Sequence, residues 1–468
     1  MAVRRIFSKR NYQLILKNSF NPLVLTPRRS VMNLIDNDIP RGYFFTANSG
    51  DGTTSNGKHT TIKDTLADLK LQLARDMGVD HAFKPVLTNR LQLADNLPKS
   101  QEELPKRSMQ DSYIAAVIPL ANNVGLQEKY TTFLGSVRLG RLLEDMDIFA
   151  VIVARKHIYN PKLPKDALFP QTLVTVLVDR IDFTDYQPKP NKDIKISGHV
   201  SWCGRSTLEV VVWLEQFEDG EWQRITRALF LLAARDPTNS YATPVNAIEP
   251  ANERERHILS GGEQRKKRRL DIDTTLVTKK IPSDEEQKII HGIYTKMADP
   301  NNVAGVVHSL PYGSVWMKDS CISNVVLAQP EDRNLHNTVF GGFIMRHATE
   351  LSWILGYMHC KYRPRTKHVS DISFKQPIAV NSLIRMHASV VFSYKNYIQN
   401  LVVVEVYNPV TGKSSTTNSF HLTLEAPDIV PEVVPVTYHE AMLYVDGRRR
   451  FFNSISNIPI TGKIKPKL

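Results

Sequence analysis

Residues 136–155 read SVRLGRLLEDMDIFAVIVAR and residues 337–356 read NTVFGGFIMRHATELSWILG. Each stretch carries glycine at the start of a run that is apolar on most sides, as a helix enclosed by other structure must be. The spacing predicts helices over Val137–Arg155 and Phe340–Met358. Around the first, strands are expected at Ser112–Pro119, Leu173–Phe183, Lys195–Cys203, Leu208–Phe217 and Arg224–Ala233. Around the second they are expected at Cys321–Ala328, Ser370–Phe374, Leu383–Phe392, Ile398–Tyr407 and Ser415–Leu424. Asp219–Gly220 and Asn408–Lys413 supply turns. Gly140 and Gly342 match at an offset of 202 and Gly220 and Gly412 at 192, so duplication is the economical explanation. One long apolar helix with four antiparallel strands buries that helix only if the sheet curls around it. The expected fold is α+β, two tandem units of this kind pairing edge to edge.

Outward from these units, residues 1–35 hold seven basic residues, Arg4 among them, and no acidic one. Interleaved with Leu14, Ile15 and Phe20, they have the composition of a mitochondrial transit peptide. The remaining expected divisions are an accessory region at 36–104, the first unit at 105–240 and a charged linker and helix at 241–300. The second unit follows at 301–430 and a C-terminal extension at 431–468. Within the accessory region a helix is expected near Ile62–Met77, and Ser283 with Glu286 forms a capping box ahead of another. No apolar run approaches the roughly 18 residues of a membrane span. Three scattered cysteines, Cys203, Cys321 and Cys360, suit a reducing compartment and offer no zinc pair. Of the net charge of +13, +6 remains without residues 1–35, which suits an anionic ligand without demanding nucleic acid.

At the second helix start, Gly341 and Gly342 present backbone N–H groups that are unpaired and at the positive end of the dipole, suited to a developing oxyanion. On the first helix Asp147 shares a face with Leu143, Ala150 and Val151, and desolvation there raises its pKa toward that of a useful base. The plain alternative is a solvated helix charge. Asp145 is spaced to pair with Arg141, and Glu144 to face solvent.

Residues 136–147, the SGHVSW strand at 197–202 and NTVFGGFIMR at 337–346 resemble the double-hotdog acyl-coenzyme A thioesterases, over roughly residues 105 to 450. The resemblance implies hydrolysis of acyl-CoA to free acid and CoA at a composite site between the two hotdog domains, with no metal or redox cofactor. It further implies a mitochondrial matrix location, no stable membrane insertion, and a homo-oligomer, a trimer of double-hotdog chains. By its pattern the catalytic pair is Asp147, as base or nucleophile, and Asn334, which orients water or thioester, while Phe340, Gly341 and Gly342 bind substrate. The complementary pair fails, because the corresponding positions are Thr349 and Thr132, so one competent and one vestigial site are expected. Phe340 departs from the histidine of many relatives, and Glu350 beside Thr349 is a candidate substitute acid.

Two other readings stay open: a non-catalytic acyl-CoA-binding regulator, and a dehydratase acting on an acyl thioester, for which His336 lies close to Asn334. The GTTSNGKH run at 52–59 is an incomplete phosphate loop, and no GxSxG elbow is present. RKKRR at 265–269 reads as solvated linker, with CoA phosphates as a second reading, and His199 and His387 recur in corresponding strands as structural residues.

Overall fold

The computed structural model describes residues 64–78, 90–164, 167–272, 281–298, 308–334, 338–370, 372–374 and 376–455. The basic stretch 1–35, the glycine-lysine run at 52–59 and His336 lie outside them. Helices are α1 (Leu66–Met77), α2 (Leu139–His157), α3 (Glu253–Ile272), α4 (Asp284–Met297), α5 (Gly341–Cys360) and α6 (Tyr438–Ile455). The strands of the first half are β1 (Ile114–Ile118), β2 (Thr172–Val178), β3 (Ile181–Phe183), β4 (Ile194–Cys203), β5 (Thr207–Glu218) and β6 (Glu221–Arg235). After the short β7 (Ser314–Trp316) come β8 (Cys321–Leu327), β9 (Arg365–Val369), β10 (Ile372–Ser373), β11 (Leu383–Tyr394), β12 (Tyr397–Tyr407), β13 (Ser414–Glu425) and β14 (Glu432–Val434).

Twelve of these strands form one sheet, in the order β1-β4-β5-β6-β3-β9-β13-β12-β11-β8, with β2 joined to both β6 and β10. The fold is α+β, two hotdog units whose sheets continue into one another. Each half-sheet curls around its own helix, because a helix apolar on most sides is buried only by enclosure. On α2 that enclosure covers Leu142, Met146, Phe149, Val153 and Ala154 completely. The tight β5–β6 hairpin turns at Asp219 and Gly220, both with positive φ (50° and 84°), the conformation that matches strand twist.

The expected single strands Leu173–Phe183 and Ser370–Phe374 are each broken in two, and the break makes the seam. Val178 pairs with Ile372 and Ile181 with Val369, so each half reaches across to the other twice. Duplication is also written in the β-bulges. Register slips at Val176, Ser201 and Ile225 in the first half recur at Lys367, Val391 and Thr417 in the second, at offsets of 190 to 192. The helices instead match at 202, because a longer connection joins α2 to β2 than joins α5 to β9.

Where a solvated linker was expected, the charged run holds α3, docked on the outer face of β4 and β5. Arg265, read as solvent-facing, is buried and paired with Glu209. In the accessory region α1 begins with a capping box at Thr65 and Asp68, and its Lys70 reaches the buried Asp145 at 2.6 Å. Asp145 therefore pairs with Lys70 and Tyr130 rather than with Arg141 one turn earlier. The C-terminal stretch holds α6, which packs across β11 to β13 and is tied to α4 by a two-pronged Arg449–Glu286 pair at 2.7 Å. His199 is fully buried in β4, and His387 bonds Ser323 and Ser389 on the outer sheet face.

Candidate active site

The two central helices cross where each has a glycine in place of a side chain. A Cβ on Gly140 would lie 3.0 Å from the Arg346 carbonyl oxygen, and one on Gly342 would lie 2.8 Å from the Glu144 Cα. These contacts are equivalent under the offset of 202, so a pseudo-twofold axis runs between the helices. The crossing brings the start of α5 down onto the middle of α2.

There the Gly342 N–H donates to Asp147 Oδ2 at 2.8 Å, linking the two halves. The Thr175 hydroxyl donates to Asp147 Oδ1 at 2.8 Å. Thr175 stands directly before the bulge at Val176, which turns the strand locally and aims the hydroxyl at the helix. Asp147 is 1% exposed. Burial pushes its carboxyl above the ordinary aspartate value, against the Thr175 and Gly342 hydrogen bonds that pull it down. A carboxylate held by two donors in a dry setting is positioned to accept a proton or to attack.

Asn334 opens the connection into α5. Its backbone N–H donates to the Thr338 carbonyl at 2.7 Å, and Phe340 N–H donates to the Asp332 carbonyl at 3.2 Å. The side-chain oxygen accepts from the Thr338 N–H at 3.2 Å and hydroxyl at 2.9 Å, so the amide is oriented with Nδ2 away from Thr338. The first half repeats this loop bond for bond: Thr132 N–H donates to the Ser136 carbonyl at 2.8 Å and Arg138 N–H to the Tyr130 carbonyl at 2.7 Å. The backbone is conserved between copies, and only the side chains differ.

Those differences separate the two pseudo-equivalent positions. Thr349 stands where Asp147 does, Thr132 where Asn334 does, Leu139 where Gly341 does, and Arg138 where Phe340 does. Glu350, the candidate substitute acid, is bound by Arg138 at 2.6 Å. Thr366 in the bulged β9 corresponds to Thr175.

The expectation that both glycine N–H groups face a substrate meets a different arrangement. Gly342 N–H already serves the Asp147 carboxylate, since an unpaired donor at a helix start takes the nearest anion. Glu144, read as solvated, is half-buried between Arg141 at 2.8 Å and Arg346 at 3.4 Å. Thr175 was missed by sequence reasoning, because its role depends on a bulge that only the partner strand reveals. Replacing Thr175 with Val removes a hydrogen bond that favours the ionised carboxyl. The Asp147 carboxyl is therefore expected to titrate at higher pH in the variant than in the parent protein, which carbon-13 NMR of the labelled carboxyl over pH 4 to 9 checks.

Among the described residues, no cluster of three or more His, Cys, Asp or Glu side chains is placed to hold a metal ion, and no helix is long and apolar enough to cross a membrane.

Two enclosed helices, with a buried carboxylate on one held by the N-terminus of the other, define a tandem hotdog protein. No family model matches the chain. It is 37% identical over 415 residues to acyl-coenzyme A thioesterase 10, mitochondrial, of Mus musculus, covering 87% of this chain and 93% of the relative. It is 39% identical over 360 residues to acyl-coenzyme A thioesterase 9, mitochondrial, of Homo sapiens, covering 77% and 81%. Among solved structures, an acyl-CoA hydrolase from Staphylococcus aureus in complex with butyryl coenzyme A is 23% identical. It covers 30% of this chain and 93% of its own, with a TM-score of 0.29. A putative oleoyl thioesterase from Lactobacillus plantarum is 10% identical, covering 67% and 96%, with a TM-score of 0.40. The chain belongs to the acyl-coenzyme A thioesterase family and is a thioester hydrolase.

Proposed function

We propose that this protein hydrolyses acyl-CoA to free acid and CoA in a single composite cleft between residues 105–240 and 301–430, the two repeated domains. Asp147 is the general base or nucleophile, Asn334 orients the water or the thioester, and Phe340, Gly341 and Gly342 line the substrate. The observation that carries this reading is the 2.8 Å hydrogen bond from Gly342 N–H to Asp147 Oδ2, buried and made between the halves. With Gly342 committed to the carboxylate, Gly341 N–H is the backbone donor left for the thioester oxygen. The other cleft is vestigial: a threonine replaces the carboxylate, and a salt bridge engages the neighbouring acid.

The relatives are named mitochondrial, and the acid-free basic stretch 1–35 agrees with import, so the protein acts in the mitochondrial matrix. Self-association into a trimer is in keeping with the open edge of β8, where Val325 and Leu327 are exposed.

The test is a pH–rate profile of CoA thiol release with Asn334→Ala alongside. The base works ionised, and its carboxyl is raised. The rate therefore falls as pH drops through a pKa above the usual aspartate range and is flat above it. Asn334→Ala lowers kcat by about 10²-fold with the profile unmoved, since the amide orients without titrating. A profile flat to pH 4 removes Asp147 from the role.

A further inference from the structure

Glu144 and Arg346 stand at the helix crossing itself. A Cβ on Gly342 would meet the Glu144 Cα at 2.8 Å and its carbonyl oxygen at 2.9 Å, and one on Gly140 would meet the Arg346 carbonyl oxygen at 3.0 Å and Cα at 3.3 Å. Each residue is therefore what the other helix's glycine rests against, and their numbers differ by the same 202 that relates the glycines. The pseudo-twofold axis carries position 144 onto position 346. Identical charged residues at both positions would repel across the axis, whereas an acid on one copy and a base on the other attract. Arg346 Nη1 lies 3.4 Å from Glu144 Oε2, with the two side chains 17% and 12% exposed, and such burial makes the attraction stronger and less screened than at the surface. The guanidinium is steadied by its own helix: its carbon lies 5.4 Å from the centre of the Phe343 ring, and Nη2 donates to His347 Nε2 at 3.2 Å. Arg141 reaches the same carboxylate oxygen at 2.8 Å, but from one turn earlier on α2, so it does not join the two helices.

Two bare backbones let the helices touch, but apolar contact is non-directional and fixes neither the slide nor the rotation of one helix on the other. Directional links do. Glu144 and Asp147 lie one turn apart on α2, and Gly342 and Arg346 lie one turn apart on α5. The Glu144–Arg346 pair and the bond from Gly342 N–H to Asp147 Oδ2 are thus two attachments a turn apart along both helices. Together they set the angle of the α5 start as well as its distance, and with it the direction in which the Gly341 and Gly342 N–H groups point. We propose that Arg346, acting through Glu144, is a positioning residue: the pair locks the crossing so that the N-terminus of α5 meets the Asp147 carboxylate in the productive geometry. This rests on the reading of Asp147 as the reacting group.

The test measures kcat and KM for CoA release from butyryl-CoA, with a thermal melt on each variant. Arg346→Met is expected to lower kcat by about ten- to a hundredfold, the cost of a misplacement of up to about 1 Å, with KM within a few-fold of wild type. Glu144→Gln does the same, and the double replacement is no worse than either single one, because all three remove one interaction. Arg346→Lys keeps the charge and retains most of the rate, which keeps the question answerable if the methionine variant does not fold. Arg141→Met takes a cation from the same carboxylate without touching the crossing and leaves kcat close to wild type. In that background Glu144→Arg with Arg346→Glu rebuilds the pair with its charges exchanged and recovers most of the kcat lost in Arg346→Met. Wild-type kcat in folded Arg346→Met, with only the melt lowered, overturns the inference, because a pair that merely stabilises leaves the chemistry intact. An equal loss in Arg141→Met overturns it too, as does a rate that the exchanged pair does not restore, which would place Arg346 on the substrate rather than on Glu144. Undiminished turnover by Asp147→Asn sinks the underlying reading instead, so the two failures are told apart.

Discussion

Asp147→Asn is expected to lower turnover of acyl-CoA by about 10³-fold, within the range for loss of a positioned base, while binding of acyl-CoA stays within a few-fold of wild type. Asparagine keeps the shape of the side chain among buried neighbours, and its oxygen still accepts from either Thr175 or Gly342. It loses the charge, and its amide nitrogen then confronts the other donor, a local cost of about 1 to 3 kcal/mol that leaves the fold standing. The loss therefore falls on kcat. The measurement is CoA thiol release under saturating substrate, with calorimetric binding of the same acyl-CoA and a thermal melt on each protein. A regulator without catalysis would show no turnover in wild type, and a dehydratase would yield enoyl-CoA rather than free acid. Equal turnover in wild type and variant would remove Asp147 from the chemistry.

How much of this was open to reading from the sequence follows from the range of the interactions. The two central helices announce themselves because enclosure demands apolar residues all round, and the match of Gly140 with Gly342 marks a crossing that only two bare backbones permit. Asp147 is legible as a carboxyl among apolar helix neighbours. The Gly342 N–H that holds it lies 195 residues away, and Thr175 approaches only because β2 slips register against β6. Neither fact has a local signature. The same limit explains Glu144, whose solvated appearance ignored Arg346 on the facing helix. It also explains the split of Leu173–Phe183, since a strand's second partner is set by the other half of the chain.

The charged run at 253–272 misled for a related reason, and its energetics are open to a direct test. Arg265→Leu is expected to destabilise the protein by about 3 to 5 kcal/mol, the cost of breaking a buried ion pair by removing one partner. Glu209 is fully buried in β5 and accepts from Arg265 Nε at 3.1 Å and Nη2 at 2.5 Å, with the Ser201 hydroxyl at 2.8 Å as a further donor. The position is enforced from both sides. Gly262 lets α3 approach so closely that a Cβ there would lie 2.5 Å from Trp202 Cβ, and the Trp202 indole N–H donates to Glu263 at 2.8 Å. A leucine at 265 takes a guanidinium away from a carboxylate buried beneath the helix. Guanidinium unfolding curves on wild type, Arg265→Leu, and Arg265→Leu with Glu209→Leu make the measurement. The double replacement is expected to recover much of the loss, because an apolar pair of similar bulk has no charge to desolvate. The single-variant deficit should change little between low and high salt, since buried pairs are weakly screened. A deficit below about 1 kcal/mol, the ordinary worth of an exposed pair, would mean that α3 is a surface linker after all.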